Sequence, residues 1–377
     1  MTAALGYFGL RAERALWAQS SDEEILAQSR VPDSDYDKTA KLNFNENPYG
    51  PPESVLKAMA QAMKYANRYG YPDGGIVEGI AQLHGCRSQN VMLGAGSSEI
   101  LQAVADTFVT SQKKILGAEP TYSTVYGFAT GMNGSAIRVP LGPDFRQDIP
   151  AMIKAAKDNA KSLGFVYLCN PNNPTGVIVT RDDVRQLLDG LPENVPVLID
   201  EAYHHYVEDN AYASSVPFVN EGRPVIVART FSKIAGMAGV RLGYGIAPSA
   251  LAQRMRPYLG SNNVSVVAKW GGVAALKDTA ALEQVRSKTL ELRKKTVAQL
   301  KELGYSVIPS EANFFMVNLR RQARQVIQAF RQRGVLVGRP FPPMNEYLRV
   351  SVGNADEMDR FIAAFKAILP AATASRR

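Results

Sequence analysis

The chain is poor in cysteine, histidine and tryptophan: its 377 residues include only two, three and two of them. Two cysteines, Cys86 and Cys169, cannot build a disulfide framework, and Cys169 stands in an apolar run where a thiol serves as a small hydrophobe. The histidines, His84 and the adjacent His204 and His205, have neither the spacing nor the company of a zinc site, so no metal is expected. The adjacent pair is read as following the DEAY motif and lining a pocket. No apolar run reaches the length that spans a bilayer, and there is no internal repeat or low-complexity tract. The net charge is +8, but the basic residues are scattered rather than gathered into a stripe. That argues against a nucleic-acid footprint and leaves a basic surface suited to small anionic ligands. With 46% hydrophobic residues the chain can form a large core and two domains.

Three apolar runs read as buried strands, and each ends in polar residues. PVIVA at 224–228 leads into TFSKIAGMAGVR at 230–241, where Lys233 sits among Ser232, Ala235, Gly236, Ala238 and Gly239. Away from water its ammonium is disfavoured and the free amine becomes a nucleophile for carbonyls. The alternative is a lysine snorkelling from a strand end. VPVLI at 195–199 runs into DEAY, and FVYLC at 165–169 into NPNNPTG. Open α/β sheets bind ligands at the carboxyl ends of their strands, so Asn173, Asp200 and Lys233 are expected to converge there. GAGSSE at 94–99 opens a helix, where Gly96, Ser97 and Ser98 offer backbone N–H groups to a phosphate. A dinucleotide fingerprint would need a third glycine. Thr230 and Ser232 add hydroxyls, and Arg241 adds a fork that matches an oxyanion. Farther on, Arg349 interrupts a strand of apolar and small residues, where a charge is costly unless paired.

These strand ends stand in order with LNFNENPYGPP at 42–52, RYGYPDG at 68–74, PTYSTVY at 120–126 and LRVSVG at 348–353. Together they resemble the fold-type I pyridoxal-phosphate (PLP) aminotransferases, and within them the histidinol-phosphate aminotransferase-like branch. The resemblance implies an α/β fold with a large domain built on a mainly parallel sheet and a smaller α+β domain. It implies PLP as cofactor and a ping-pong transfer of an amino group between an amino acid, or histidinol phosphate, and a 2-oxo acid such as 2-oxoglutarate. Lys233 is then the residue that carries the cofactor and moves the substrate proton, Asp200 the partner of its ring nitrogen, and Tyr203 and Asn173 the partners of its phenolic oxygen. Tyr122 would lie flat on the ring. Gly96, Ser97, Ser98, Thr230, Ser232 and Arg241 would hold the phosphate, joined by Tyr71 from the neighbouring subunit of a homodimer. Arg349 would take the α-carboxylate, and Asn47 would meet the substrate from the entrance loop.

One position departs from the family, which carries an arginine directly after a GVxV strand to grip the substrate phosphate. Here Gly338 follows GVLV and the arginine is Arg339. A one-residue shift turns a strand side chain to the opposite face. Either the glycine makes a bulge that restores the aim, or the substrate is a different amino acid, aromatic or basic, to which this reading leans. A PLP-dependent decarboxylase or other lyase acting on a phosphorylated amino acid shares nearly the same motifs and is the alternative. A PLP-binding regulator would need a DNA-binding module, for which the stretch before residue 42 is too short. Three segments are expected: an arm at 1–41, a large domain at 42–257 and a small domain at 258–377. Residues 1–19 read as part of an arm packing on a partner subunit, or as the remnant of an export signal. The first makes the enzyme cytoplasmic, the second periplasmic. A helix is expected to start at 20–24, a polar linker at 32–35, and an amphipathic helix over 52–66 with Val55, Met59 and Met63 on one face.

Overall fold

The computed structural model describes residues 33–132 and 134–369. The expected segment 1–19 and the helix start at 20–24 lie outside them. Asp33–Tyr36 forms one helical turn where a linker was expected.

Strands covered by helices on both faces need apolar side chains at every position, not at alternate ones. Leu163–Cys169, Val197–Asp200 and Val225–Thr230 are apolar up to their carboxyl ends, where Asp200, Arg229 and Thr230 stand, and they are buried throughout. They form the middle of a seven-stranded sheet. Its order is Val91–Gly94, Gly243–Ile246, Val225–Thr230, Val197–Asp200, Leu163–Cys169, Lys114–Glu119 and Ala136–Pro140. Gly243–Ile246 runs antiparallel to both neighbours, and the other pairs are parallel, so the expected mainly parallel α/β architecture is present. In the central register Cys169 lies opposite Asp200, and Asp200 opposite Ala228. The turns that follow these strands therefore share one edge. Sequence reading gave no strand at Gly243–Ile246 because its glycines obscure the pattern. They are there for space: a Cβ at Gly245 would lie 2.8 Å from Cγ2 of Ile100, and one at Gly243 would collide with the start of the helix Ser97–Phe108.

A second core forms around an antiparallel sheet of Tyr347–Ser351, Phe314–Asn318 and Val307–Ile308. Phe315, Phe330, Phe361 and Phe365 fill it. Beside it Ala40–Leu42 pairs in parallel with Val335–Val337. The cores divide the chain differently from the expected boundaries at 41–42 and 257–258. Ala40 and Leu42 both pack in the smaller core, whereas Val264, Ala268 and Ala275 pack in the larger one. The helix Thr279–Glu302 spans the two: its Val285 and Leu290 cluster with Tyr203, and its Leu300 lies in the smaller core. The helix expected over 52–66 is Glu53–Ala62, with a 3-10 turn at Met63–Tyr65; Val55 is buried, Met59 half-buried and Met63 exposed. No described helix is long and apolar enough to cross a membrane.

Candidate active site

At the shared edge of the central strands lies a cavity of about 370 Å³. The turn after Val225–Thr230 brings Lys233 into it, where Nζ donates to the Phe44 carbonyl at 3.0 Å and stands 5.7 Å from the Tyr203 ring centroid. Burial, and then the charge of Arg349, push the Lys233 ammonium down to about 8, against the opposing pull of Glu46 and Asp200. Asp200 ends the neighbouring strand and is 3% exposed. Its Oδ2 accepts from the Tyr167 hydroxyl at 3.1 Å and its Oδ1 from the Ala202 N–H at 3.1 Å. Burial pushes the Asp200 carboxyl up to about 6 even though both hydrogen bonds and Lys233 favour its anion. A cation beside it would hold it ionised at neutral pH.

Tyr203, in the turn after Asp200, accepts through its hydroxyl from Nδ2 of Asn45 at 3.1 Å and from Nδ2 of Asn173 at 3.2 Å. With both acceptor directions used and the phenol pushed up by burial, its proton is available to donate into the cavity. Asn173 in turn accepts, through Oδ1, from Nη1 of Arg349 at 2.7 Å, and Nη2 of that arginine reaches the Asn43 carbonyl at 2.6 Å. The Arg349 Nε is buried without a hydrogen-bond partner, and among the described residues no carboxylate pairs with the guanidinium. A buried cation in that state is ready for an anionic ligand.

The helix Ser97–Phe108 opens at the opposite end of the cavity, with Ser97 and Ser98 in its wall. Gly96 precedes it at φ +80°, and a Cβ there would collide with the Arg241 guanidinium. Arg241 donates to the carbonyls of Ala238 at 2.9 Å and Ala95 at 3.1 Å and reaches the Ser232 hydroxyl at 3.5 Å; the Thr230 hydroxyl donates to that of Ser232 at 2.8 Å. Helix N-terminus, hydroxyls and guanidinium form a nest for a phosphate. Half-buried Tyr122 belongs to the cavity wall, as do Arg339 and Phe341. The donor set thus suits a planar, phosphate-bearing aldehyde: an amine, a carboxylate, a phenol and an anion nest around one aromatic-walled space.

Three of the expected residues are outside the lining of this chain's cavity: Gly96, which adjoins it just before Ser97, Tyr71 and Asn47. Tyr71 is 78% exposed and lies outside the lining. Asn47 is also outside it: Nδ2 donates to the Ile234 carbonyl at 3.0 Å, which ties the entrance loop to the turn beside Lys233. Sequence reading missed Asn45 and Tyr167, the partners of Tyr203 and Asp200. Nor do His204 and His205 line the cavity; their Nε2 atoms are 3.2 Å apart.

A profile of the family described as Aminotransferase class I and II matches residues 37–365. This chain belongs to the class I and II aminotransferases. It is 37% identical over 353 residues to the histidinol-phosphate aminotransferase of Moorella thermoacetica, covering 92% of this chain and 88% of that one. It is 37% identical over 337 residues to the histidinol-phosphate aminotransferase of Symbiobacterium thermophilum, covering 87% and 90%. Among solved structures, the histidinol-phosphate aminotransferase from Sinorhizobium meliloti in complex with pyridoxal-5'-phosphate superposes with a TM-score of 0.81 at 27% identity, over 87% of this chain and 90% of the other. This aminotransferase is accordingly a PLP-dependent enzyme that moves an amino group between an amino acid and an oxo acid. A decarboxylase is not favoured.

Proposed function

We propose that this aminotransferase acts on substrates with a distal anion, histidinol phosphate among them, and that Arg339 is the group that holds that anion. The observation carrying this reading is that Arg339 lines the same cavity as Lys233 and Arg349 in spite of the intervening Gly338. It replaces the lean towards an aromatic or basic amino acid, and the names of the relatives support it.

The remaining assignments follow the donor geometry. Gly96, Ser97, Ser98, Thr230, Ser232 and Arg241 hold the cofactor phosphate, Tyr122 covers the ring, Tyr203 and Asn173 address its phenolic oxygen, and Asp200 its nitrogen. When bound, PLP supplies the electron sink for the pair left as the substrate Cα–H bond breaks. Asp200 stays ionised against the ring N–H, and Arg349 orients an α-carboxylate where there is one. Lys233, with its depressed basicity, takes the Cα proton as general base and returns a proton at C4′ as general acid. Asn47 acts on the substrate indirectly, by fixing the entrance loop. The partner subunit's Tyr71 completes the phosphate nest, which makes the active form a homodimer. We place the enzyme in the cytoplasm and its domain division within the helix Thr279–Glu302.

The test is kcat/KM for Arg339→Ala with histidinol phosphate, glutamate and norvaline. Losing charged hydrogen bonds costs about 1.5–3 kcal/mol each, so the first two substrates are expected to lose at least tenfold more than norvaline. Equal losses for all three would make Arg339 structural and refute the reading.

A further inference from the structure

Phe341, 6% exposed, touches both arginines of the cavity. The guanidinium carbons of Arg339 and Arg349 lie 4.5 and 4.6 Å from its ring centroid. The backbone is built to bring the two together. The Gly338 N–H donates to the Arg349 carbonyl at 3.0 Å, and a Cβ at 338 would lie 2.7 Å from that oxygen, so a larger residue would force the two segments apart. Arg349 is fixed further by Asn173 and the Asn43 carbonyl, and Arg339 by the Pro340 carbonyl at 2.9 Å. Two like charges on one buried wall repel each other, and an aromatic face attracts a cation through its quadrupole. An aliphatic side chain could fill the same volume without that attraction.

We propose that Phe341 is a positioning residue that holds the two guanidinium groups at a set spacing, so that a substrate with two anionic ends, such as glutamate, meets both at once. The inference rests on the reading that Arg339 takes a distal anion. Glutamate presents both anions at once, whereas norvaline presents only the α-carboxylate. Phe341 sets how well Arg339 and Arg349 bind together, and it acts on Lys233 only through the charge of Arg349.

The experiment compares Phe341→Leu, Phe341→Tyr and Arg339→Ala with the parent holoenzyme. The amino-donor half-reaction is followed by absorbance with glutamate and with norvaline, and glutarate binding is measured by calorimetry. For Phe341→Leu the KM for glutamate should rise about tenfold more than that for norvaline, equivalent to 1.4 kcal/mol. Its kcat should change less than its KM, and its Kd for glutarate should rise by a similar factor. Phe341→Tyr keeps the aromatic face and should retain the preference for glutamate. If Arg339→Ala discriminates between the two donors but Phe341→Leu does not, the positioning role is overturned and the distal-anion reading survives. If Arg339→Ala does not discriminate either, both fall. Should the leucine variant fail to fold, Phe341→Met carries the same expectations.

Discussion

The basicity of Lys233 can be moved in opposite directions by two single changes. Its ammonium is pushed from the ordinary 10.5 to about 8, by burial first and the Arg349 charge second, with Glu46 and Asp200 acting against them. At pH 7 roughly a tenth of the side chain is then the free amine, against about three in ten thousand for a lysine in water, a gain on the order of 300-fold in nucleophile. Arg349→Gln removes a cation and should raise the value; Glu46→Gln removes an anion and should lower it. Each shift is expected to be on the order of one unit. The assay is the rate at which the apoenzyme captures PLP, followed by absorbance across pH, with the inflection reporting the lysine. The apoenzyme should also gain stability as pH climbs from about 8 towards 10.5, because over that window the unfolded chain keeps a proton that the folded one has released. An inflection at the ordinary lysine value, or a shift of both variants in the same direction, would refute the reasoning.

Other perturbations probe different parts of the site. Gly96→Ala places a Cβ against Arg241 at a φ of +80°, and the strain of about 1–3 kcal/mol should appear as faster loss of PLP on dialysis. Behind the sheet, Arg229 Nη2 pairs with Glu201 Oε2 at 2.8 Å, both side chains almost fully buried. Glu201→Gln leaves that guanidinium uncompensated, and denaturant unfolding should show a loss of about 3–5 kcal/mol. For the shared site, Lys233→Ala and Tyr71→Ala chains should each be inactive or impaired alone. Unfolded and refolded together, they should recover about a quarter of parental activity, since half the molecules are mixed dimers with one intact site. No recovery would argue against Tyr71 acting across subunits.

The chemistry at the strand ends was legible because fully buried parallel strands are written as apolar runs, and the polar turns that follow those runs come out at one edge of the sheet. That logic reached Asn173, Asp200 and Lys233. It did not reach Tyr167, whose hydroxyl meets Asp200 from within such a run, because a strand buried on both faces does not declare which face a given residue takes. In the entrance loop, Asn47 was preferred over Asn45. Asn45 turns at a φ of +54°, and a reversal of that kind, not sequence position, decides which amide reaches Tyr203. Some strands give little sign of themselves in the sequence, for separate reasons. Ala40–Leu42 is very short, Ala136–Pro140 is an edge carrying Arg138 and a terminal proline, and Gly243–Ile246 gives up side chains to let a helix approach. Ala40–Leu42 joins a strand nearly three hundred residues away, a pairing that no local pattern records.

That pairing has a mechanical consequence. Residues 40–42 are riveted to the smaller core, and the grip continues at Asn43 and Asn45, through Arg349 and the Ser351 hydroxyl. A few residues later the same loop is clasped to the turn beside Lys233 by Asn47 on the Ile234 carbonyl. Phe44, whose carbonyl meets Lys233, sits within the first anchor, and Glu46 lies between the two. A rotation of one core against the other would bend this stretch together with the helix Thr279–Glu302 that spans the two. The loop thus links two sides of the site: the Asn43 carbonyl holds Arg349 and the next carbonyl, that of Phe44, holds Lys233, so capture of a substrate by the arginine is expected to alter the hydrogen bonding of the lysine.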